Sequence, residues 1–181
     1  MELSVRTWSE LILNTSEELV AQQIQNIFFI CSSRKHFDTE NARQQFYRKW
    51  TEYYYLNCRN DIYIAVAEGN HVAGYLMGSR DSAKAIDYFT DKVPSYLLFR
   101  EYFTEFPGHL HINCHPEFQG KGAGRKLISA FVESIRKELC GVHIVTSPTD
   151  SNVNFYEKMG FTERHMGYIN ATGVLFMGRK F

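Results

Sequence analysis

Between Cys114 and Leu127 the chain reads Cys-His-Pro-Glu-Phe-Gln-Gly-Lys-Gly-Ala-Gly-Arg-Lys-Leu, with glycines at the alternate positions Gly120, Gly122 and Gly124. Glycine tolerates positive φ and lets a ligand approach bare backbone amides. The apolar residues Leu127, Ile128, Phe131, Val132, Ile135 and Leu139 follow at helical spacing, which predicts a helix from about Gly124 to Leu139. A helix start adds unpaired N–H groups and a partial positive charge, and together these make an anion site. Lys121, Arg125 and Lys126 bring three cations, and no acid lies between Gln119 and Lys126. A pyrophosphate fits this chemistry. The missing Lys-Ser/Thr pair excludes a nucleotide-triphosphatase loop, and the spacing is not that of a dinucleotide fold. On these residues alone, a sharp strand-to-helix turn with incidental lysines stays open.

A second group precedes the turn. His109, His111 and Asn113 alternate with Leu110, Ile112 and Cys114, so the two histidines share one face of a predicted strand. Cys114 points to the other face, and no carboxylate completes a set, so no metal site is expected. Burial and inertness are the reading for the Cys114 thiol.

These residues must be held by something. The chain has 181 residues, 44% of them hydrophobic, with 20 basic against 20 acidic side chains. That length suits one domain over 1–181, since about 150 residues already bury ~70% of their unfolded surface. Zero net charge argues against nucleic acid or an anionic membrane as partner. No apolar run approaches the ~20 residues of a membrane helix. Met1–Glu10 lacks the pattern of a secretory signal, and the four cysteines show no paired spacing, so a cytoplasmic protein with reduced thiols is expected.

The pattern predicts a strand over Leu3–Trp8 and a helix capped by Thr15 and Glu18, its apolar face formed by Leu19, Val20, Ile24, Ile27, Phe28 and Cys31. A second helix is predicted from about Thr39 to Leu56, and then a hairpin, Ile62–Ala67 and His71–Gly78, around Glu68-Gly69-Asn70. The stretch 80–107 is polar, then aromatic, with a helix proposed over Tyr96–Phe106. Strands at His109–Cys114, Val142–Thr146, Phe161–Met166 and Val174–Arg179, with a helix over Ser151–Met159, complete a mixed α/β sheet.

The run His115–Gly124, read as Gln119-x-x-Gly122-x-Gly124, resembles the acetyl-CoA signature of the GNAT superfamily of N-acetyltransferases. Downstream, Asn152-Val-Asn-Phe-Tyr156-Glu-Lys-Met-Gly160-Phe161 is similar to a second box of that family. The resemblance extends from about Asp61 onward. The phrase Phe106–Ile112 is also similar to the acetyltransferase-like region of protein O-GlcNAcase and its bacterial relatives.

The resemblance implies a mostly antiparallel sheet, flanked by helices, that splays between two adjacent parallel strands, Leu110–Cys114 and Val142–Thr146. Acetyl-CoA would be the co-substrate. The backbone of Ile112 and Cys114 would hold pantetheine and thioester, and Gln119, Gly120, Lys121, Gly122, Ala123, Gly124 and Arg125 the pyrophosphate. Asn152 would bond pantetheine or cap its helix. The implied reaction is direct acyl transfer to an amine, with Tyr156 protonating the leaving thiolate; packing is the alternative for Tyr156. If the face of His109, His111 and Asn113 lines the acceptor side, His111, with a pKa near 7 suited to the task, would take the amine's proton directly or through water; the alternative is a half-buried histidine satisfied by hydrogen bonds. Dimerisation is a family-level expectation, the acceptor is unspecified, and a non-catalytic acyl-CoA-binding module is the rival reading.

Overall fold

The computed structural model describes residues 2–181. The strands are β1 (Ser4–Thr7), β2 (Ile62–Ala67), β3 (His71–Ser79), β4 (Gly108–Cys114), β5 (Gly141–Thr146), β6 (Glu163–Ile169) and β7 (Thr172–Lys180). The helices are α1 (Trp8–Ile12), α2 (Glu17–Cys31), α3 (Glu40–Asn57), α4 (Ile86–Phe89), α5 (Pro94–Leu97), α6 (Ala123–Ile135) and α7 (Val153–Lys158). The strand order is β1-β2-β3-β4-β5-β7-β6. Pairs β1–β2, β2–β3, β5–β7 and β7–β6 are antiparallel, whereas β4 and β5 run parallel, with Gly108 opposite Val142 and His109 opposite His143. This is the mixed, mostly antiparallel sheet that the motif order implies. The chain packs as two compact units, one of residues 1–78 with 111–131, the other of 79–110 with 132–181.

In the first unit, the chain leaves β1 one residue earlier than the alternation predicts. Thr7 Oγ1 accepts from the Glu10 amide and the Glu10 carboxylate accepts from the Thr7 N–H, a reciprocal capping box that starts α1 at the buried Trp8. The cap of α2 is Ser16, not Thr15: Ser16 Oγ accepts from the Leu19 amide, and Thr15 Oγ1 accepts from Asn70 Nδ2 instead. The buried stripe of α2 is Val20, Ile24, Ile27 and Phe28, and Leu19 lies off it, 49% exposed. Thr39 caps α3 as its position suggests, accepting from the Ala42 amide at 3.1 Å. Also buried in this unit are Ile62, Ile64, Tyr75, Leu76, Met77, Leu127, Ile128 and Phe131. Gly78 lies under Phe131, where an added Cβ would stand 2.4 Å from the ring.

In the second unit, the aromatic stretch is not one helix. It breaks into α5 and a 3-10 turn over Arg100–Tyr102. Its rings become core: Phe99 and Phe106 pack with Phe176 of β7, all nearly inaccessible. The β6–β7 hairpin starts later and runs longer than its apolar residues show, because Asn170 turns it with φ 52°, a conformation asparagine tolerates better than most residues.

Candidate active site

The turn after β4 is assembled from the residues singled out by their spacing. A 3-10 turn, Pro116–Phe118, follows His115, whose Nδ1 accepts from the Glu117 amide. Gly120 and Gly122 then adopt φ of +73° and +91°, the left-handed region in which any side chain is strained. A Cβ at Gly120 would meet nothing within 4 Å, and one at Gly122 only the Arg125 guanidinium at 3.8 Å. The space beside both is open to a ligand. Gly124, by contrast, lies inside the first turn of α6 with φ outside the positive region.

Hydrogen bonding divides the amides of the turn into two sets. Gln119 and Lys121 donate within it, to Pro116 O at 3.2 Å and Phe118 O at 3.3 Å. The α6 ladder opens with Lys126 N to Gly122 O at 3.0 Å, so the N–H groups of Gly122, Ala123, Gly124 and Arg125 precede the first intrahelical bond and have no helical acceptor. The four amides without a helical acceptor, Gly122–Arg125, belong to the stretch Gln119–Arg125 named from the resemblance. The Gln119 side chain is a tether, donating to the Cys114 carbonyl at 3.1 Å. All three cations are exposed, and Lys126 also donates its ammonium to the Leu3 carbonyl.

Ile112 and Cys114 lie half-buried on β4. The Cys114 carbonyl accepts from both Gln119 and the Cys31 thiol, the latter at 3.3 Å. β3 approaches so closely that a Cβ at Gly74 would be 2.9 Å from Asn113 O and from Cys114 Sγ. Burial, with the neighbouring Cys31 thiol adding to it, pushes the Cys114 thiol up to about 12, so it carries essentially no thiolate at neutral pH.

His111 is half-buried by surface, yet desolvation lowers its pKa to about 4. The near-neutral pKa expected of a general base is therefore corrected: the imidazole is uncharged at pH 7 and a weak base. Its Nε2 lies 3.1 Å from Tyr75 Oη and 3.2 Å from Asn113 Nδ2, and Asn113 Nδ2 donates to Tyr75 Oη at 2.8 Å. The Phe28 and Tyr75 rings flank it at 6.0 and 5.8 Å. Tyr75 carries no motif signal. Its one sequence mark is a polar tip in an otherwise apolar strand, and a buried phenol needs a partner.

In the second unit, α7 carries the other box. Tyr156 is 6% exposed and packs against the Phe155 and Phe161 rings at 5.4 and 6.2 Å. The helix ends in a Schellman motif: Phe161 N donates to Tyr156 O at 3.1 Å, Gly160 N to Glu157 O at 2.9 Å, and Gly160 has φ +87°. Arg179 adds a donor to Met159 O at 2.7 Å. The Met-Gly-Phe end of the box is thus a helix terminator that pins Tyr156. Asn152 is the N-cap of α7 but makes no capping bond with its side chain, and it is exposed. His109 bonds Ser82 Oγ at 2.8 Å and is buried. His143 bonds the Phe106 carbonyl at 2.9 Å, and burial takes its pKa to about 4.

Among the described residues no helix is long and apolar enough to cross a membrane, and no three His, Cys, Asp or Glu side chains converge as a metal set. A 36% identical stretch of 55 residues matches an L-methionine sulfoximine/L-methionine sulfone acetyltransferase of Salmonella typhimurium, covering 28% of this chain and 31% of that protein. A 31% identical stretch of 78 residues matches the L-amino acid N-acyltransferase MnaT of Escherichia coli, covering 38% of this chain and 44% of the relative. The chain thus aligns with less than half the length of either relative. The solved structure of SsHAT superposes with a TM-score of 0.71 over 99% of this chain and 98% of its own, at 18% identity, and shares the fold. The model of the Acetyltransferase (GNAT) family matches residues 22–161, well over half of the sequence, and the chain belongs to that family.

Proposed function

We propose that this protein transfers an acetyl group from acetyl-CoA to an amine by direct attack on the thioester. The observation that carries the reading is the bank of N–H groups at Gly122–Arg125, opened by the positive φ of Gly120 and Gly122 and flanked by Lys121 and Arg125. Two phosphates need several donors and a cationic rim, and backbone N–H groups at a helix start supply them without a side chain in the way. The residues present therefore fit the group. Gly120, Gly122, Ala123, Gly124 and Arg125 would hold the pyrophosphate, with Gln119 bracing the turn and Lys121 adding charge. Ile112 and Cys114 would pair with the pantetheine through their backbone, and the exposed Asn152 amide is a further candidate to bond it.

When bound, acetyl-CoA supplies the activated acyl group. The protein's part is to align it with the amine, since positioning alone accounts for a large share of such rate enhancements. Tyr156, held by the helix terminator beneath it, would give its phenol proton to the departing sulfur and regain one, through solvent, from the proton the attacking amine sheds. A base with a pKa near 4 takes little part in deprotonating an amine, so the amine would arrive neutral from solution. The names of the two sequence relatives favour an α-amino acid or a close analogue as acceptor.

Calorimetry of CoA binding, with a panel of amines assayed by CoA release, tests this. Gly122→Glu should abolish CoA binding in a folded protein, and undiminished binding would refute the cradle. CoA binding without release on any amine would favour the acyl-CoA-binding module.

A further inference from the structure

We propose that His111 serves the reaction as a hydrogen-bond donor, its Nδ1–H offered to an oxygen of the bound substrate, with Tyr75 and Asn113 as positioning residues that fix this tautomer from Nε2. The inference rests on the acyl-transfer reading above, because it assigns the histidine of β4 a part in that reaction.

The tautomer follows from counting protons. Asn113 Nδ2 has no acceptor lone pair, so it donates to Tyr75 Oη at 2.8 Å, and it lies 3.2 Å from His111 Nε2. Tyr75 Oη, already accepting from Asn113, has a single proton, and Nε2 stands 3.1 Å away to receive it. The single lone pair of Nε2 therefore takes the Tyr75 proton. A hydrogen on Nε2 would face the Asn113 amide proton, so the ring proton sits on Nδ1. Among the described residues, Nδ1 has no hydrogen-bond partner and is not among the buried unpartnered atoms, so it keeps contact with solvent. No carboxylate pairs with the ring to hold it as imidazolium. Its neighbours are the Phe28 ring from α2 and Tyr75 from β3, and Tyr75 in turn feels Tyr47, Cys31 and Cys114 electrostatically. Burial, which lowers the His111 pKa to about 4, keeps the ring neutral through the physiological range. An uncharged N–H fixed by two partners needs no reorganisation when negative charge develops on an oxygen before it.

The test reads the ring directly. In the full-length protein labelled with nitrogen-15, the His111 signals are assigned by their loss in His111→Gln. They should show the Nδ1–H form at pH 7, unchanged from pH 6 to 8. Asn113→Asp replaces a donor with an acceptor and should move the proton to Nε2. Tyr75→Phe removes one oxygen and should give a mixture of tautomers, which keeps the test intact if the Asp variant does not fold. In Asn113→Asp, kcat/KM should fall by on the order of tenfold or more, part of the ~10²–10³ that an oriented donor contributes, and in Tyr75→Phe it should fall in proportion to the Nδ1–H form lost. A fall in kcat alone assigns the donor to the acyl carbonyl, and a rise in the acceptor's KM assigns it to the acceptor. A wild-type ring protonated on Nε2, or titrating near 6.5, overturns the inference, as does unchanged kcat/KM with an altered tautomer. Failure of the wild type to release CoA would instead strike the acyl-transfer reading and leave the ring measurement standing.

Discussion

Acidification from pH 7 to pH 5 should weaken the fold through its buried imidazoles. His111 and His143 each have a pKa near 4 in the native state because burial disfavours their charged forms, against about 6.5 in an unfolded chain. Above pH 6.5 both states are neutral and the shift contributes nothing. As the pH falls below 6.5, only the unfolded chain takes up protons, so stability drops until the native pKa is reached. At pH 5 the loss is about 2 kcal/mol for each ring, or about 4 kcal/mol for the pair, worked from a shift of roughly 2.5 units at 1.36 kcal/mol per unit less the part lying below pH 5. His109, buried beside His143 and shifted the same way, adds to it. The exposed Glu10, Glu40 and Glu105, whose pKa values are lowered by hydrogen bonds, lose their contribution only below about pH 5, so this window isolates the histidines. With a urea m-value of about 2 kcal/mol/M, the midpoint should fall by about 2 M. His143→Phe keeps the stack between Phe103 and Phe176 while removing one titrating ring. Its constant cost cancels in the difference between the two pH values, and that difference should shrink by about a third to a half. Equal midpoints at pH 7 and pH 5, or an undiminished difference in the variant, would refute the reasoning.

Three further outcomes are expected. Tyr156→Phe should lower kcat by about 10²-fold or more while leaving CoA affinity within a few-fold, measured by stopped assay and calorimetry; a normal rate removes the acid role. Gly78→Ala places a methyl 2.4 Å from the Phe131 ring and should cost about 1–3 kcal/mol in urea unfolding. At pH 8, maleimide labelling followed by peptide mapping should modify the exposed Cys140 well before Cys114, whose thiol is held protonated by burial; equal rates would contradict that shift.

Local signals were legible where a residue's own backbone preference decides the matter. Alternating glycines announced the turn, and two of the three do supply positive φ; the third, Gly124, belongs to the helix because α6 begins at Ala123. The Phe-Tyr-Glu-Lys-Met-Gly-Phe run encoded its helix end through Gly160 and the Phe161–Tyr156 contact. Caps were less secure. Thr15 and Ser16 are adjacent and equally able to cap, and only the pairing of Thr15 with Asn70, from the β2–β3 turn, leaves Ser16 to start α2. The stretch 80–107 was illegible for a related reason. Its aromatics satisfy the core contacts of Phe176 and His143, and residues selected for a partner far along the chain obey no local period.

Residues close in the chain were enough to show the resemblance to the family, the strands β1 to β7 and the glycine-rich turn, because glycine torsions and apolar periodicity act over a few residues. The state of His111 came only with the fold. A histidine in a string carries its ordinary pKa near 6.5, whereas here desolvation takes it to about 4 and Tyr75 and Asn113 claim Nε2. Tyr75 is 36 residues away in the chain. Proton affinity depends on which groups surround a ring in space, and that neighbourhood exists only after the chain has folded.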